Sequence, residues 1–372
     1  MANVRVENIT KKYGKLTALK DVSFQCEEGE FFTLLGPSGA GKTTLLETIA
    51  GIRTPDAGKI YFDGHNIEKL PPQDRNVAMA FEDYALYSHM NVYENIAFPL
   101  RSPKMKGKMT KKQEGEKVRE IASLLGIEHL LKRKPQQLSG GQKQRVSLAR
   151  TMVRTPDVYL LDEPIAHLDA KLRAAARATL KRLARKFGTT IIYVTHNYRE
   201  GLALADRILI LREGEVQQVD TPEGVYLSPA NDFTARLIGD PPINLMDGEI
   251  FEAKGATYLH VQKGVSIAID QDHVKAAREK AWEEGGETRV RLGIRPKNLK
   301  VSTEKQSDTA FQLPVYAVVH EAEASVVTFE LEKTFLLVKT DQVIPHVVGQ
   351  PLWIDIDQDQ MYFFTKTMEI GK

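Results

Sequence analysis

A glycine-rich loop over residues 36–44, GPSGAGKTT, has the spacing of a phosphate-binding site. It fits the pattern G-x-x-x-x-G-K-S/T and lies between a strand pattern and a helix pattern, as that motif requires. Backbone N–H groups of the loop and the dipole of the helix would hold phosphate, so an ordinary glycine-rich turn is the weaker alternative. Lys42 would reach the β- and γ-phosphates, and Thr43 would ligate Mg²⁺. The predicted nucleotide-binding residues of this loop are Gly36, Pro37, Ser38, Gly39, Ala40, Gly41, Lys42, Thr43 and Thr44.

An acidic pair follows the hydrophobic run VYLL and ends it in Asp162 and Glu163. Asp162 would hold the Mg²⁺ shell, and Glu163 would orient or deprotonate the attacking water. Apolar runs that end in Asp-Glu are common, and alone they also fit a strand end with a solvated acid pair. Downstream of a phosphate-binding loop, the pair instead predicts nucleotide hydrolysis.

The segment LSGGQKQR, residues 138–145, places two glycines at the start of a helix pattern. Free N–H groups at a helix N-terminus form an anion site, and the Ser139 hydroxyl is a further donor. Simple helix capping is the alternative that the segment alone leaves open. The candidate anion contacts are Ser139, Gly140, Gly141 and Gln142.

The elements that must position these residues alternate between strand and helix patterns. Strand-like runs such as TTIIYVTH and RILILREGEV are separated by helical runs such as GKTTLLETIAGI, which predicts a mostly parallel sheet covered by helices. The strongest helix pattern follows Asp169, a predicted N-cap, and ends before Gly188. The fold class predicted for residues 1–240 is an α/β P-loop nucleotide-binding domain, with a helical subdomain at about 84–155.

The character of the chain changes near Pro241 and Pro242, which mark a linker. Short strand patterns such as TRVRLGIRP, FLLVKT and PLWIDIDQ follow. Residues 241–372 are therefore predicted to form a C-terminal all-β domain, a small barrel or sandwich for which an OB-like barrel is the predicted fold class, with no catalytic constellation of its own.

Composition limits the choice of partners. The net charge of +2 gives no reason to expect nucleic-acid binding, and the lysine-rich stretch 104–117 is interpreted as a solvated loop and helix start. The single cysteine, Cys26, rules out an intrachain disulfide and fits a reducing compartment. We expect no signal peptide, and no run approaches the ~18 apolar residues of a membrane helix.

The order of four motifs, GPSGAGKTT, LSGGQ, DE and VTH, resembles that of the ATP-binding cassette (ABC) ATPases over the first ~240 residues. The resemblance implies a head-to-tail dimer with ATP between the P-loop of one subunit and the LSGGQ of the other. It also implies that Tyr13, in KKYG, stacks on adenine and that His196, in VTH, contacts the γ-phosphate. The catalytic residues that it implies are Lys42, Glu163 and His196.

Residues 81–90 match the loop that senses the γ-phosphate and contacts the membrane partner, but with departures. Glu82 replaces the usual glutamine, and Ser88, Ala166 and His167 also differ from the family pattern. A carboxylate can still ligate Mg²⁺, but it adds negative charge near the phosphates and near Glu163, which would slow ATP binding or hydrolysis or shift the pKa of a neighbouring acid. A role as one member of an unequal ATPase pair and neutral drift both stay open. The expected Mg²⁺ ligands are Thr43, Glu82 and Asp162.

The tail segment GIRPKNL, residues 293–299, resembles the maltose-type importer ATPases for carbohydrates and polyols. That resemblance implies an ATPase that powers uptake of a sugar, a polyol such as glycerol, or a related solute. The partners it implies are two permease subunits, a second ATPase subunit that is identical or a paralogue, and indirectly an extracytoplasmic solute-binding protein. The chain would lie peripherally on the cytoplasmic face of the cell membrane, and its tail would regulate the dimer. An exporter ATPase and a soluble ABC protein acting on ribosomes or DNA are the alternatives.

Overall fold

The computed structural model describes residues 2–103, 109–253, 256–262, 265–284, 287–307, 309–321, 324–331, 334–341 and 348–366. The chain divides into two compact units, Met1–Val225 and Tyr226–Lys372. Of the lysine-rich stretch, residues 104–108 lie outside the described part. The predicted domain boundary near residue 240 stays a prediction.

A mixed sheet forms the centre of the first unit. Its six strands are β3 (Phe31–Leu35), β6 (Val77–Ala80), β7 (Val158–Asp162), β8 (Thr190–Thr195), β9 (Arg207–Arg212) and β10 (Glu215–Asp220). The order is β10-β9-β3-β8-β7-β6, and all neighbours are parallel except β10, which runs antiparallel to β9. The carboxyl ends of β3, β6, β7 and β8 therefore meet at one edge of the sheet. The predicted site residues lie at or just after these strand ends.

Helices cover this sheet. They are α1 (Lys42–Ala50), α2 (Val92–Ala97), α3 (Lys111–Leu124), α4 (Gly140–Met152), α5 (Ala170–Phe187) and α6 (Tyr198–Leu204). The predicted caps of α5 are present: the Asp169 carboxylate accepts from the N–H of Leu172 at 2.9 Å, and Gly188 ends the helix at φ 57°. Two further short helices are α7 (Pro222–Leu227) and α8 (Asp232–Leu237).

A second, antiparallel sheet belongs to the first unit, and the motif analysis did not separate it from the central one. Its strands, in the order β2-β1-β4-β5, are β1 (Val4–Tyr13), β2 (Leu16–Cys26), β4 (Ala57–Phe62) and β5 (His65–Asn66). One buried core joins it to α1 and to one face of the central sheet, including Val6, Leu45 and Leu160. This packing places β1 and β2 beside the loop that precedes α1.

The second unit consists mainly of antiparallel strands. They are β11 (Asn244–Ala253), β12 (Ala256–Gln262), β13 (Val265–Ile269), β14 (Trp282–Glu284), β15 (Glu287–Ile294), β16 (Leu299–Ser302), β17 (Phe311–His320), β18 (Ser325–Leu331), β19 (Thr334–Thr340), β20 (Pro351–Ile356) and β21 (Met361–Phe364). One sheet has the order β13-β12-β11-β15-β14, with β21 on β15, and the other has the order β16-β20-β17-β18-β19. Both contribute to a single apolar core.

The all-β prediction for the tail omitted one helix, α9 (Gln271–Glu279). Asp270 caps it by accepting from the N–H of His273 at 2.9 Å, while Val274 and Ala277 are buried. Polar residues dominate this short segment, so the strand patterns on either side obscured its helical spacing. Across the described part of the chain, no helix is long and apolar enough to cross a bilayer.

Short 3-10 turns occur in both units, at Pro72–Asp74, Phe98–Arg101, Glu128–Leu130, Pro135–Gln137, Pro296–Asn298 and Gln358–Gln360.

Candidate active site

The phosphate-binding loop connects β3 to α1, as the motif requires. Gly41 precedes the helix at φ 100°, a backbone conformation that side chains disfavour. At position 36, a Cβ atom would lie 2.3 Å from the carbonyl oxygen of Leu211. Glycine is therefore needed at both positions for the loop to wrap closely against β9 and the start of α1.

The Lys42 side chain lies inside this loop. It is only 6% exposed, and its Nζ donates to the carbonyl oxygens of Gly36 at 2.9 Å and Pro37 at 2.8 Å. Burial lowers the pKa of Lys42, while the carboxylates of Glu163, Asp162 and Glu82 oppose that shift. The ammonium group is thus fixed in position and faces acidic groups.

Asp162, at the end of β7, is 2% exposed. Burial raises the pKa of Asp162 to about 6, although the Thr43 hydroxyl donates to its carboxylate. Its Oδ1 is buried and has no hydrogen-bond partner among the described residues. A buried carboxylate oxygen with a free lone pair beside a hydroxyl is a donor set that suits a hard cation such as Mg²⁺.

Glu163 and His196 are brought together from the ends of β7 and β8. Nδ1 of His196 lies 2.8 Å from Oε1 of Glu163, and the side chains are 52% and 13% exposed respectively. Glu163 adopts φ 43°, which is unusual for a residue with a side chain, and its N–H donates to the Val194 oxygen at 3.0 Å. The carboxylate can accept a proton while the histidine fixes its orientation.

An open cavity of about 810 Å³ surrounds the loop. Tyr13 lies at its rim and is 40% exposed, with the cations of Lys11 and Arg53 at 5.6 Å and 5.9 Å from its ring centroid. The ring is thus available for stacking. The lining residues are Tyr13, Lys15, Leu16, Thr17, Ala18, Lys20, Ser38, Gly39, Gly41, Lys42, Thr43, Thr44, Glu82, Glu163 and Glu213.

Glu82 lies where this cavity meets a second one of about 420 Å³. Its charge raises the pKa of Asp162 and opposes the lowering of the Lys42 pKa. Both cavities also contain Thr43. The second cavity is lined by Thr43, Glu47, Phe81, Glu82, Asp83, Tyr84, Asp162 and His167.

The LSGGQ residues form the N-terminus of α4 but lie apart from the phosphate-binding loop. Ser139 Oγ accepts from the N–H of Gln142 at 3.4 Å, and Gln142 Oε1 accepts from the N–H of Ser139 at 3.0 Å. None of residues 139–142 is among the described residues that line either cavity. A single chain therefore presents the two halves of the expected site separately.

Several cavity residues carry no motif, and sequence reasoning missed them. Lys15 lines the cavity from the turn before β2, Thr17 and Lys20 line it from β2, and Glu213 lines it from the turn after β9. Their positions depend on the antiparallel sheet packing beside α1. Local spacing contains no signal for that packing.

Comparison with known proteins identifies the family of this chain. A family model described as ABC transporter matches residues 19–166. The trehalose/maltose import ATP-binding protein MalK of Thermococcus litoralis is 49% identical over 68% of each chain. The sn-glycerol-3-phosphate import ATP-binding protein UgpC 1 of Rhizobium johnstonii is 38% identical over 98% of this chain and 94% of its own. The chain belongs to the ABC transporter ATP-binding proteins.

A solved structure of the same ABC type supports the assignment of the first unit. The dimeric ATP-binding cassette MJ0796, in a post-hydrolysis state with ADP and Pi, is 32% identical with a TM-score of 0.55. It covers 59% of this chain and 98% of its own. The predictions of an ABC ATPase fold and of a nucleotide-binding ATPase coupled to transport are confirmed.

Proposed function

We propose that this ABC ATPase powers the import of a sugar, a polyol or a related solute. The observation that carries the hydrolytic part is the 2.8 Å contact between Glu163 and His196 beside the phosphate-binding loop. The import part is supported by similarity to import ATP-binding proteins along nearly the whole chain. Both parts assign the chain to energy coupling, with solute recognition left to other subunits.

ATP would enter the larger cavity with its base on Tyr13 and its phosphates in the loop. Stacking on an aromatic ring is worth roughly 1–3 kcal/mol where it has been measured for nucleic-acid bases. The N–H groups of residues 36–44 would hold the phosphate oxygens. Lys42 would exchange its bonds to two carbonyl groups for bonds to the β- and γ-phosphates.

Thr43, Asp162 and Glu82 would hold Mg²⁺. The fit rests on the buried Oδ1 of Asp162, the hydroxyl of Thr43 and the acidic second cavity. When bound, the ion would neutralise charge on the phosphates and orient them. Glu82 would add a full negative charge to this donor set, where glutamine would add none.

Glu163 would act as the general base. Its carboxylate would take a proton from water as the water oxygen bonds to the γ-phosphorus and the bond to the bridging oxygen breaks, giving ADP and phosphate. His196 would hold the carboxylate on one side and contact the γ-phosphate with its exposed face.

A second ATPase subunit, identical or a paralogue, would supply its LSGGQ residues to complete the site. The separation of residues 139–142 from the cavities of their own chain supports this arrangement. Residues 81–90 would contact two permease subunits at the cytoplasmic face of the membrane. A solute-binding protein would act through those permeases.

In functional terms, we divide the chain into an ATP-binding domain over 1–240, with a helical subdomain at about 84–155, and a regulatory domain over 241–372. Helices α2 to α4 support the subdomain. The two antiparallel sheets with one shared core support an OB-like arrangement in the tail.

Glu163→Gln tests the hydrolytic assignment. The amide keeps the size of the side chain but cannot accept the proton, so kcat for ATP hydrolysis should fall by about 100-fold or more. The dissociation constant for ATP, measured with a fluorescent analogue, should stay within about twofold. Hydrolysis at the wild-type rate by the variant would overturn the assignment.

A further inference from the structure

We propose that Gln144, a buried residue of α4, is a positioning residue that holds Glu163 in its hydrolytic orientation. The proposal rests on the role of Glu163 given above. Gln144 touches neither cavity in the described residues, and the LSGGQ segment ends before it. Its effect would pass through Glu163 and through the loop that follows β7.

Both ends of the Gln144 amide bind backbone at the candidate site. Its Nε2 donates to the carbonyl oxygen of Glu163 at 3.0 Å, and its Oε1 accepts from the N–H of His167 at 3.1 Å. The side chain is only 3% exposed, so water cannot replace these bonds if the amide is removed. Gln144 therefore ties two points of the segment after β7 to one helix.

The backbone of Glu163 needs such a restraint. Its φ of 43° lies in the left-handed region, which costs a non-glycine residue about 1 kcal/mol or more unless neighbouring contacts hold it. The N–H of Glu163 is held by Val194, and its carbonyl is held by Gln144. With both peptide groups fixed, the carboxylate is directed to within 2.8 Å of His196.

The same helix starts at the LSGGQ segment. Ser139 caps α4, and a Cβ atom on Gly141 would lie 3.5 Å from the carbonyl oxygen of His167. A displacement of α4 when its N-terminus engages a neighbouring nucleotide would thus reach Glu163 through one side chain. Gln144 would link completion of one ATP site to the position of the base in the other.

Gln144→Leu in the full-length chain tests the proposal, because leucine fills similar space without either hydrogen bond. We expect kcat for ATP hydrolysis to fall about 10-fold or more, because small misplacements of a catalytic group are costly. The KM for ATP and the dissociation constant of a fluorescent ATP analogue should stay within about twofold, since Gln144 does not line the cavity.

Thr151→Val is the matched control on the same helix. Thr151 is also buried, and its hydroxyl donates to the carbonyl oxygens of Met79 and Ser147. It lies about two helical turns along α4 from Gln144 and makes neither of the Gln144 contacts. The control should lower the thermal midpoint and leave kcat within about twofold. Gln144→Glu, which keeps the acceptor for the His167 N–H and loses the donor to Glu163, should reproduce the kcat loss if the leucine variant does not fold.

Three results would overturn the proposal: a wild-type kcat in the folded Gln144 variants, an equal kcat loss in Thr151→Val, or a loss explained by weaker ATP binding. Glu163→Gln, measured in parallel, separates this failure from that of the proposed function. If Glu163→Gln is inactive and the Gln144 variants are active, only the positioning role is wrong. If Glu163→Gln is active, the hydrolytic assignment itself fails.

Discussion

At the scale of single residues, Asp162 is held at a cost. Burial raises its pKa to about 6, so the folded chain loses stability as the pH rises from about 4 to 6, and above pH 6 the ionised carboxylate carries the full penalty unless a cation binds. The difference from the pKa of an ordinary aspartate corresponds to about 3 kcal/mol in the free energy of unfolding when the carboxylate is ionised. Below pH 4 both states are protonated, and the penalty disappears.

Asp162→Asn should therefore stabilise the protein at pH 8 when Mg²⁺ and nucleotide are removed with EDTA. The amide avoids the buried charge, so the free energy of unfolding should rise by up to about 3 kcal/mol at pH 8 and by much less near pH 4. Urea unfolding at the two pH values measures the difference. A loss of stability at pH 8 would show that the carboxylate is well compensated without metal.

Glu82→Gln should change the affinities for ATP and for Mg²⁺ in opposite directions. Removal of the charge beside Lys42 and Asp162 should tighten ATP binding in EDTA by about 3- to 10-fold, because repulsion of the phosphates is lost. The half-saturating Mg²⁺ concentration should rise, because an amide oxygen is a weaker ligand than a carboxylate. Titration with a fluorescent ATP analogue measures both effects.

Asp83→Asn is the control for this prediction, because it removes the same charge one residue away. Asp83 interacts with Arg150 instead. Equal effects of the two variants would mean that Glu82 acts only through net charge, and no effect of Glu82→Gln would favour neutral drift at this position.

At the scale of elements, α4 organises the loop after β6. Arg150 is 8% exposed, and its guanidinium donates to the carbonyl oxygens of Ala85 at 2.6 Å and Tyr84 at 2.9 Å. Both of those residues have positive φ, 43° and 65°. One buried side chain thus holds a strained turn inside the segment proposed to contact the permeases.

Arg150→Ala should release that turn. Losing two charge-assisted bonds should cost about 3 kcal/mol in the free energy of unfolding, and amide exchange within residues 81–90 should accelerate. Arg145→Ala, which removes donors to Leu125 and Gly126 on the same helix, is the control. Unchanged amide exchange within residues 81–90 in Arg150→Ala would show that Arg150 does not hold this turn.

Features that depend on residues close together in the chain could be predicted from the sequence. The strand, glycine loop and helix around Lys42 form one continuous segment, and the caps of α5 at Asp169 and Gly188 are local contacts. Prediction failed where contacts join distant segments. Arg150 lies outside every motif, and Gln144, although it lies within LSGGQKQR, has no predicted role, because the partners of both side chains are backbone groups of other loops.

For the whole molecule, the main observation is that the two halves of the proposed ATP site lie apart on one chain. The phosphate-binding loop opens into the larger cavity, and the LSGGQ segment forms the exposed start of α4. No local sequence pattern reports how two copies meet, so the pairing of subunits could not be predicted from any single motif. The proposed dimer requires that the ATP site is complete only between two subunits.

A disulfide between position 38 of one subunit and position 139 of the other tests this requirement. The Ser38→Cys/Ser139→Cys chain, made in a Glu163→Gln background so that ATP persists, should form a covalent dimer under mild oxidation with MgATP and none without it. Cys26 is buried, and the single variants control for other pairings. A link between the two positions within one chain would show that the site does not need a second subunit, and a chain that stays monomeric at saturating ATP with both thiols reactive would exclude an identical partner.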